Sequence, residues 1–238
     1  HALKVSPSRG VSGGNLDVGE SGFLGRVAPI CAAFSVGGDW TVEAKGTLLK
    51  RSSQPLWDCV RGAGVDLELG GAWISKLSAP SSLAPLKLCS PVSSQELSAL
   101  LIGLAARGGG SFDVVGEIPS RPYLEMTVSV LRSFGVQVSG SPGSLRVEGA
   151  AIDPEAPLLI EVDASAAAVA LAAGCLSGVR VDVPAPLQAS AQGDWRIMEH
   201  LRAFGCEVEE SEESLVAAGP PTNSVDLDLT GEPDLAPV

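Results

Sequence analysis

Leu131-Arg132-Ser133-Phe134-Gly135-Val136-Gln137-Val138 and Leu201-Arg202-Ala203-Phe204-Gly205-Cys206-Glu207-Val208 are one pattern written twice. Each reads as the end of an apolar-periodic helix, a terminating glycine and the start of an alternating strand. A third copy comes earlier, Leu56-Trp57-Asp58-Cys59-Val60-Arg61-Gly62-Ala63-Gly64-Val65-Asp66-Leu67. Gly64, Gly135 and Gly205 recur about every 70 residues, too long a period for a solenoid unit and suited to a small α/β module. Each falls where a left-handed helix cap is wanted. A second strand is predicted after a short turn, as in Ser144-Leu145-Arg146-Val147 after Ser141-Pro142-Gly143.

A second class of helix alternates with the first. Its N-termini are Glu20-Ser21-Gly22, Ser93-Ser94-Gln95, Asp163-Ala164-Ser165 and Pro233-Asp234-Leu235, again about 70 residues apart. Behind the first three, Val27 to Phe34, Leu97 to Ala106 and Ala166 to Leu176 are apolar almost all round, which predicts helices buried among other elements. The fourth start meets the end of the sequence at Val238. Three full units and the opening of a fourth are therefore expected, a portion of something longer. Polar residues at these starts suit capping, and capping is the preferred reading for Asp163 and Ser165.

Composition narrows the class. With 45% apolar residues in 238, the chain can bury one large core or two smaller ones. Sixteen basic against 28 acidic residues leave −12, which argues against a general nucleic-acid or anionic-membrane binder. Ala164 to Leu176 falls short of the roughly 20 residues of a bilayer span. No signal-peptide or transit-peptide pattern opens the sequence, and a start at His1 suggests an expression scar or an internal start. Cys31, Cys59, Cys89, Cys175 and Cys206 are widely spaced, with no CxxC, and the histidines are His1 and His200. A metal site or a histidine triad is not expected, and the thiols read as buried and reduced.

Helix N-termini offer free N–H groups and positive dipole ends, so an acidic protein can still bind anions there. The preceding loops carry Lys50-Arg51, Ser120-Arg121-Pro122-Tyr123 and Gln192-Gly193-Asp194. Arg26, in the first turn of an apolar helix, needs a partner: either an anion or a structural ion pair with Glu20.

These residues also carry a resemblance. Val92-Ser93-Ser94-Gln95-Glu96-Leu97 is similar to the serine-serine-glutamine motif of the 5-enolpyruvylshikimate 3-phosphate synthase family. Ser120-Arg121-Pro122-Tyr123 resembles its serine-lysine-proline-tyrosine loop, with arginine for lysine, and Gly19 to Arg26 its glycine-rich segment before a buried arginine. Lys50-Arg51, Asp163-Ala164-Ser165, Gln192-Gly193-Asp194 and Pro233-Asp234 match further landmarks in order.

The resemblance implies an inside-out α/β barrel of two lobes, each of three βαβαββ units, of which about three and a half fall in this sequence. Residues 1–161 would form most of the first lobe and 162–238 would begin the second. It implies enolpyruvyl transfer from phosphoenolpyruvate to the 5-hydroxyl of shikimate 3-phosphate, without metal or organic cofactor, in a cytoplasmic protein that is monomeric when full length. Nucleic acid and membrane are not expected partners. Ser93, Ser94, Gln95, Ser120, Arg121, Tyr123 and Asp234 would contact shikimate 3-phosphate. Gly22, Arg51 and Gln95 would contact phosphoenolpyruvate, and Asp234 would be the base or orienting carboxylate. The family's early lysine-serine segment and its later lysine-glutamate-x-x-arginine segment are expected outside this sequence, so the isolated stretch is expected to release no phosphate. The related transferase acting on UDP-N-acetylglucosamine and a non-catalytic phosphate-binding paralogue are the alternatives.

Overall fold

The first repeat runs from strand β1 (Gly14–Gly19) through helix α1 (Gly22–Cys31) to β2 (Asp39–Ala44), which pairs parallel with β1 in the computed structural model. Residues 13–36, 38–141, 143–148, 160–186 and 190–238 are described. Helix α2 (Gln54–Gly62) ends ahead of Gly64, whose φ of 97° is the left-handed conformation expected there. The chain then forms the antiparallel hairpin of β3 (Asp66–Gly70) and β4 (Trp73–Ser78). The sheet order is β1-β2-β4-β3.

The second repeat copies this plan. Strand β5 (Leu86–Cys89), helix α3 (Ser94–Arg107) and β6 (Gly110–Val115) make the parallel crossover, followed by α4 (Arg121–Ser133) and the hairpin β7 (Gln137–Ser141) and β8 (Ser144–Glu148). Gly135 has φ 80° and the order is β5-β6-β8-β7. Pro142 of the predicted turn lies outside the described residues. The third repeat holds α5 (Ala164–Ser177), β9 (Val181–Pro184), α6 (Ile197–Ala203), β10 (Glu207–Glu210) and β11 (Ser214–Ala218), with Gly205 at φ 85°. Its order β10-β11-β9 puts β9 in the place of β2 and β6. Of the extended run expected before α5, Pro157, Leu158 and Leu159 lie outside the described residues, and Ile160 to Val162 form no strand.

The protein is α/β, and the strands among its described residues form three open sheets. The chain divides into two compact units. One holds the described residues up to Pro119 and 130–148, and the other holds Ser120–Ser129 and the described residues from Ile160 onward.

In the first unit α1 packs closely on α3. A Cβ on Gly103 would lie 2.6 Å from Ile30 Cγ2 and 3.1 Å from Phe34 Cδ2, so glycine at this crossing lets the backbones approach. Leu97, Leu100 and Leu101 of α3 are fully buried, as the apolar pattern predicts. Trp57 and Trp73 meet edge to face, with centroids 5.5 Å apart. In the second unit Ala168, Leu171 and Cys175 of α5 pack with Met198 and Leu201 of α6 and with Leu215 and Ala217 of β11. Here the expectation of an all-round buried helix needs correction. Helix α5 leaves Val169 and Leu176 exposed at 56% and 70%, because its own sheet and α6 cover one side of it.

None of the five cysteines is in a disulfide. Burial pushes the thiols of Cys31 and Cys175 up to about 11 and that of Cys59 to about 12, so they are inert at neutral pH, whereas Cys89 is exposed.

Candidate functional site: two groups of helix-terminus residues

In the first unit the starts of α1 and α3 carry one group. Ser21 caps α1, its Oγ accepting from the Leu24 amide at 3.2 Å, and Ser93 caps α3 by accepting from the Gln95 amide at 3.2 Å. Each bond satisfies one orphan N–H of its helix and is worth about 1 kcal/mol. As a cap the Ser93 hydroxyl is an acceptor, and its own proton stays available to a ligand. Ser94 follows as the first residue of α3 and is buried.

Arg26 is buried and donates through Nη1 to Gly22 O at 2.8 Å and to Gln95 Oε1 at 2.9 Å, with its guanidinium 5.2 Å from the Trp73 ring centre. Because arginine has only donors, Gln95 must turn its oxygen to Arg26, which leaves its NH₂ as the donor for anything else. A Cβ on Gly22 would lie 3.0 Å from Arg26 Nη1, 3.3 Å from Arg51 Nη1 and 3.4 Å from Gln95 Oε1. Arg26, Arg51 and Gln95 are thus brought together against the Cα of Gly22, where a side chain would crowd them.

The expected pairing of Arg26 with Glu20 is not the one formed. Glu20 accepts from the amide and hydroxyl of Thr47, at 2.8 and 3.0 Å. The Arg26 guanidinium is held by the Gly22 carbonyl and Gln95 instead; the charge of the fully buried Glu96 acts on it without a direct bond, and Glu96 accepts from the Val92 amide at 3.0 Å. Burial pushes the Glu96 carboxyl above the ordinary carboxylate range, while the Val92 amide and Arg26 pull it back. Sequence reasoning missed Glu96, although a glutamate three residues after a capping serine is the signal of a capping box.

The second group lies in the second unit. Ser120 has φ 48°, an uncommon conformation for a non-glycine residue, and its carbonyl accepts from the Tyr123 amide at 3.1 Å. Tyr123 Oη donates to Asp194 Oδ1 at 2.9 Å, and Ser165 Oγ donates to Asp194 Oδ2. Asp194 itself is buried. Burial first, then the Asp194 bond and charge and the Asp234 charge, pushes the phenol well above its ordinary range. Asp163 caps α5 as expected, accepting from the Ala166 amide at 3.0 Å. Gln192 accepts from the Ala164 amide at 2.8 Å. Arg121 is exposed and paired with Glu125 at 2.9 Å, a surface bond of little strength. Asp234 sits exposed in the short turn Pro233–Leu235, behind Glu232, whose buried carboxylate accepts from Arg196 at 2.6 Å.

Among the described residues, no group of three or more His, Cys, Asp or Glu could hold a metal ion. No helix among them is long and apolar enough to cross a membrane.

Repeated βαβαββ units whose helix starts gather hydroxyls, amides and arginines define an α/β protein equipped to hold anionic ligands. The chain belongs to the EPSP synthase (3-phosphoshikimate 1-carboxyvinyltransferase) family, whose model matches residues 9–238. It is 31% identical over 235 residues to the 3-phosphoshikimate 1-carboxyvinyltransferase of Shewanella piezotolerans, covering 93% of this chain and 55% of that protein. The Shewanella loihica relative is 30% identical over 259 residues, covering 98% and 58%. The fold matches that of EPSP synthase from Acinetobacter baumannii with a TM-score of 0.65 at 18% identity, over 93% of this chain and 53% of that one. The chain spans about half the length of the curated relatives it matches.

Proposed function

We propose that this chain supplies the shikimate 3-phosphate contacts and part of the phosphoenolpyruvate contacts of an enolpyruvyl transferase. In that reaction the 5-hydroxyl oxygen of shikimate 3-phosphate bonds to C2 of phosphoenolpyruvate, a tetrahedral intermediate forms, and inorganic phosphate leaves. The observation that carries the reading is the convergence of Arg26, Arg51 and Gln95 on Gly22 at a helix start. A buried guanidinium from Arg26, an exposed one from Arg51 and the Gln95 amide donor, side by side, suit an anion.

In this reading Ser93, Ser94, Ser120 and Arg121 meet the shikimate phosphate, Gln95 bridges both substrates, and Gly22 and Arg51 meet phosphoenolpyruvate. Tyr123 contacts the shikimate moiety and Asp234 takes or orients the proton of the 5-hydroxyl. No metal or organic cofactor is needed. Residues 1–161 belong mostly to one lobe of an inside-out barrel and 162–238 begin the other. The protein acts as a monomer in the cytoplasm.

A chimaera in which this stretch replaces the matching portion of the Shewanella piezotolerans relative tests the reading. It is expected to release phosphate when given both substrates. Asp234→Asn in the chimaera is expected to lower that rate by about 10²-fold or more with substrate binding retained. A soluble chimaera that binds both substrates, and whose turnover survives Asp234→Asn, contradicts the role given to Asp234.

A further inference from the structure

Asp194 has no role in the reading above, yet two other segments of the second unit meet on it. It is 3% exposed, and its two carboxylate oxygens are taken by two hydroxyls, Tyr123 Oη at 2.9 Å and Ser165 Oγ. Tyr123 lies in the first turn of α4 and Ser165 in the first turn of α5. The main-chain amide of Asp234 faces the same phenol oxygen from a third segment.

We propose that Asp194 is a positioning residue that fixes the Tyr123 phenol, so that toward a ligand the phenol offers a lone pair and not a proton. A phenol has one proton to donate. With that proton held by a buried carboxylate, the bond is charge-assisted and outcompetes a solvated acceptor. The ligand group at Tyr123 is therefore a hydrogen-bond donor, such as a ring hydroxyl, and a carboxylate or phosphate at that point is repelled. The choice of a hydroxyl, as opposed to an anionic group, at this position rests on the functional reading above. The coupling between Asp194 and the phenol does not.

Tyr123 is the single tyrosine of the chain, so tyrosinate absorbance in an alkaline titration reports on it alone. The wild-type phenol is expected to ionise above the ordinary value of about 10. In Asp194→Asn the midpoint is expected to fall by about one pH unit or more, with circular dichroism unchanged at each point. Ser165→Ala leaves the carboxylate to the phenol alone, so at a fixed alkaline pH the ionised fraction falls. This second variant removes only a hydroxyl and decides the matter should Asp194→Asn not fold. A midpoint that neither variant moves overturns the proposal.

The ligand arm uses shikimate 3-phosphate binding. Because Asp194 acts through Tyr123, the losses in Asp194→Asn and Tyr123→Phe are expected not to add in the double variant, and simple additivity overturns the proposal. A shifted phenol in a chain that binds no shikimate 3-phosphate upholds the positioning role and removes the functional reading.

Discussion

Glu96 is where one residue's chemistry sets a measurable property of the whole chain. Its carboxyl is fully buried and pushed upward by burial. A carboxyl raised in the folded state binds its proton more tightly there than in the unfolded chain. Its stabilising effect is complete below the ordinary carboxylate value and is lost as pH rises through the raised value. Wild type is therefore expected to lose stability relative to Glu96→Gln as pH rises from about 4 toward 7. Chemical denaturation of both proteins across that range checks it, and parallel curves would mean that folding leaves the Glu96 carboxyl at its ordinary value. The surroundings of Arg26 were only half legible in the sequence. That Arg26 needs a partner follows from its apolar surroundings, but that Glu20 is not that partner depends on the turn at Gly46–Lys50. There the Thr47 amide and hydroxyl capture Glu20, and no local pattern announces that. The Tyr123–Asp194 bond is hidden for a similar reason, since its partners lie 71 residues apart.

At the scale of the element, legibility is high because the signals are local. A left-handed glycine follows each of α2 to α6, though not α1, and a capping side chain opens α1, α3 and α5. The hairpins follow from alternation. The glycines differ in what surrounds them, and that separates backbone strain from crowding. A Cβ on Gly64 would meet nothing closer than 3.8 Å, whereas one on Gly205 would lie 2.2 Å from Thr222 Oγ1. Gly64→Ala is expected to cost about 1 kcal/mol from its positive φ alone. Gly205→Ala is expected to cost about 1–3 kcal/mol more, because the Thr222 segment must move. Thermal or urea unfolding of the two variants measures the difference, and equal losses would mean that the Thr222 segment yields freely. Helix α5 marks the limit of such reading. Its sequence is apolar on all sides, but periodicity does not say which sides neighbours cover, and Val169 and Leu176 stand exposed.

Over the whole molecule, the period of about 70 residues is the deepest regularity in the sequence, and it reappears in the contacts. Arg26 and Gln95 are 69 residues apart and Tyr123 and Asp194 are 71, so each bond joins neighbouring copies of one unit. A repeat that brings equivalent helix starts together can gather hydrogen-bond donors, as at Gly22, without a basic surface, so a net charge of −12 does not oppose the proposed anionic substrates. What the period does not reveal is which anion.

The central claim is that the α3 start reads a phosphate, and calorimetric titration tests it most directly. Shikimate 3-phosphate and unphosphorylated shikimate are titrated into the protein and into its Ser93→Ala, Ser94→Ala double variant. Each hydroxyl is worth about 1–3 kcal/mol to a phosphate left otherwise unpaired. The account predicts a large loss of shikimate 3-phosphate binding with little change for shikimate. Equal losses for the two ligands would contradict it.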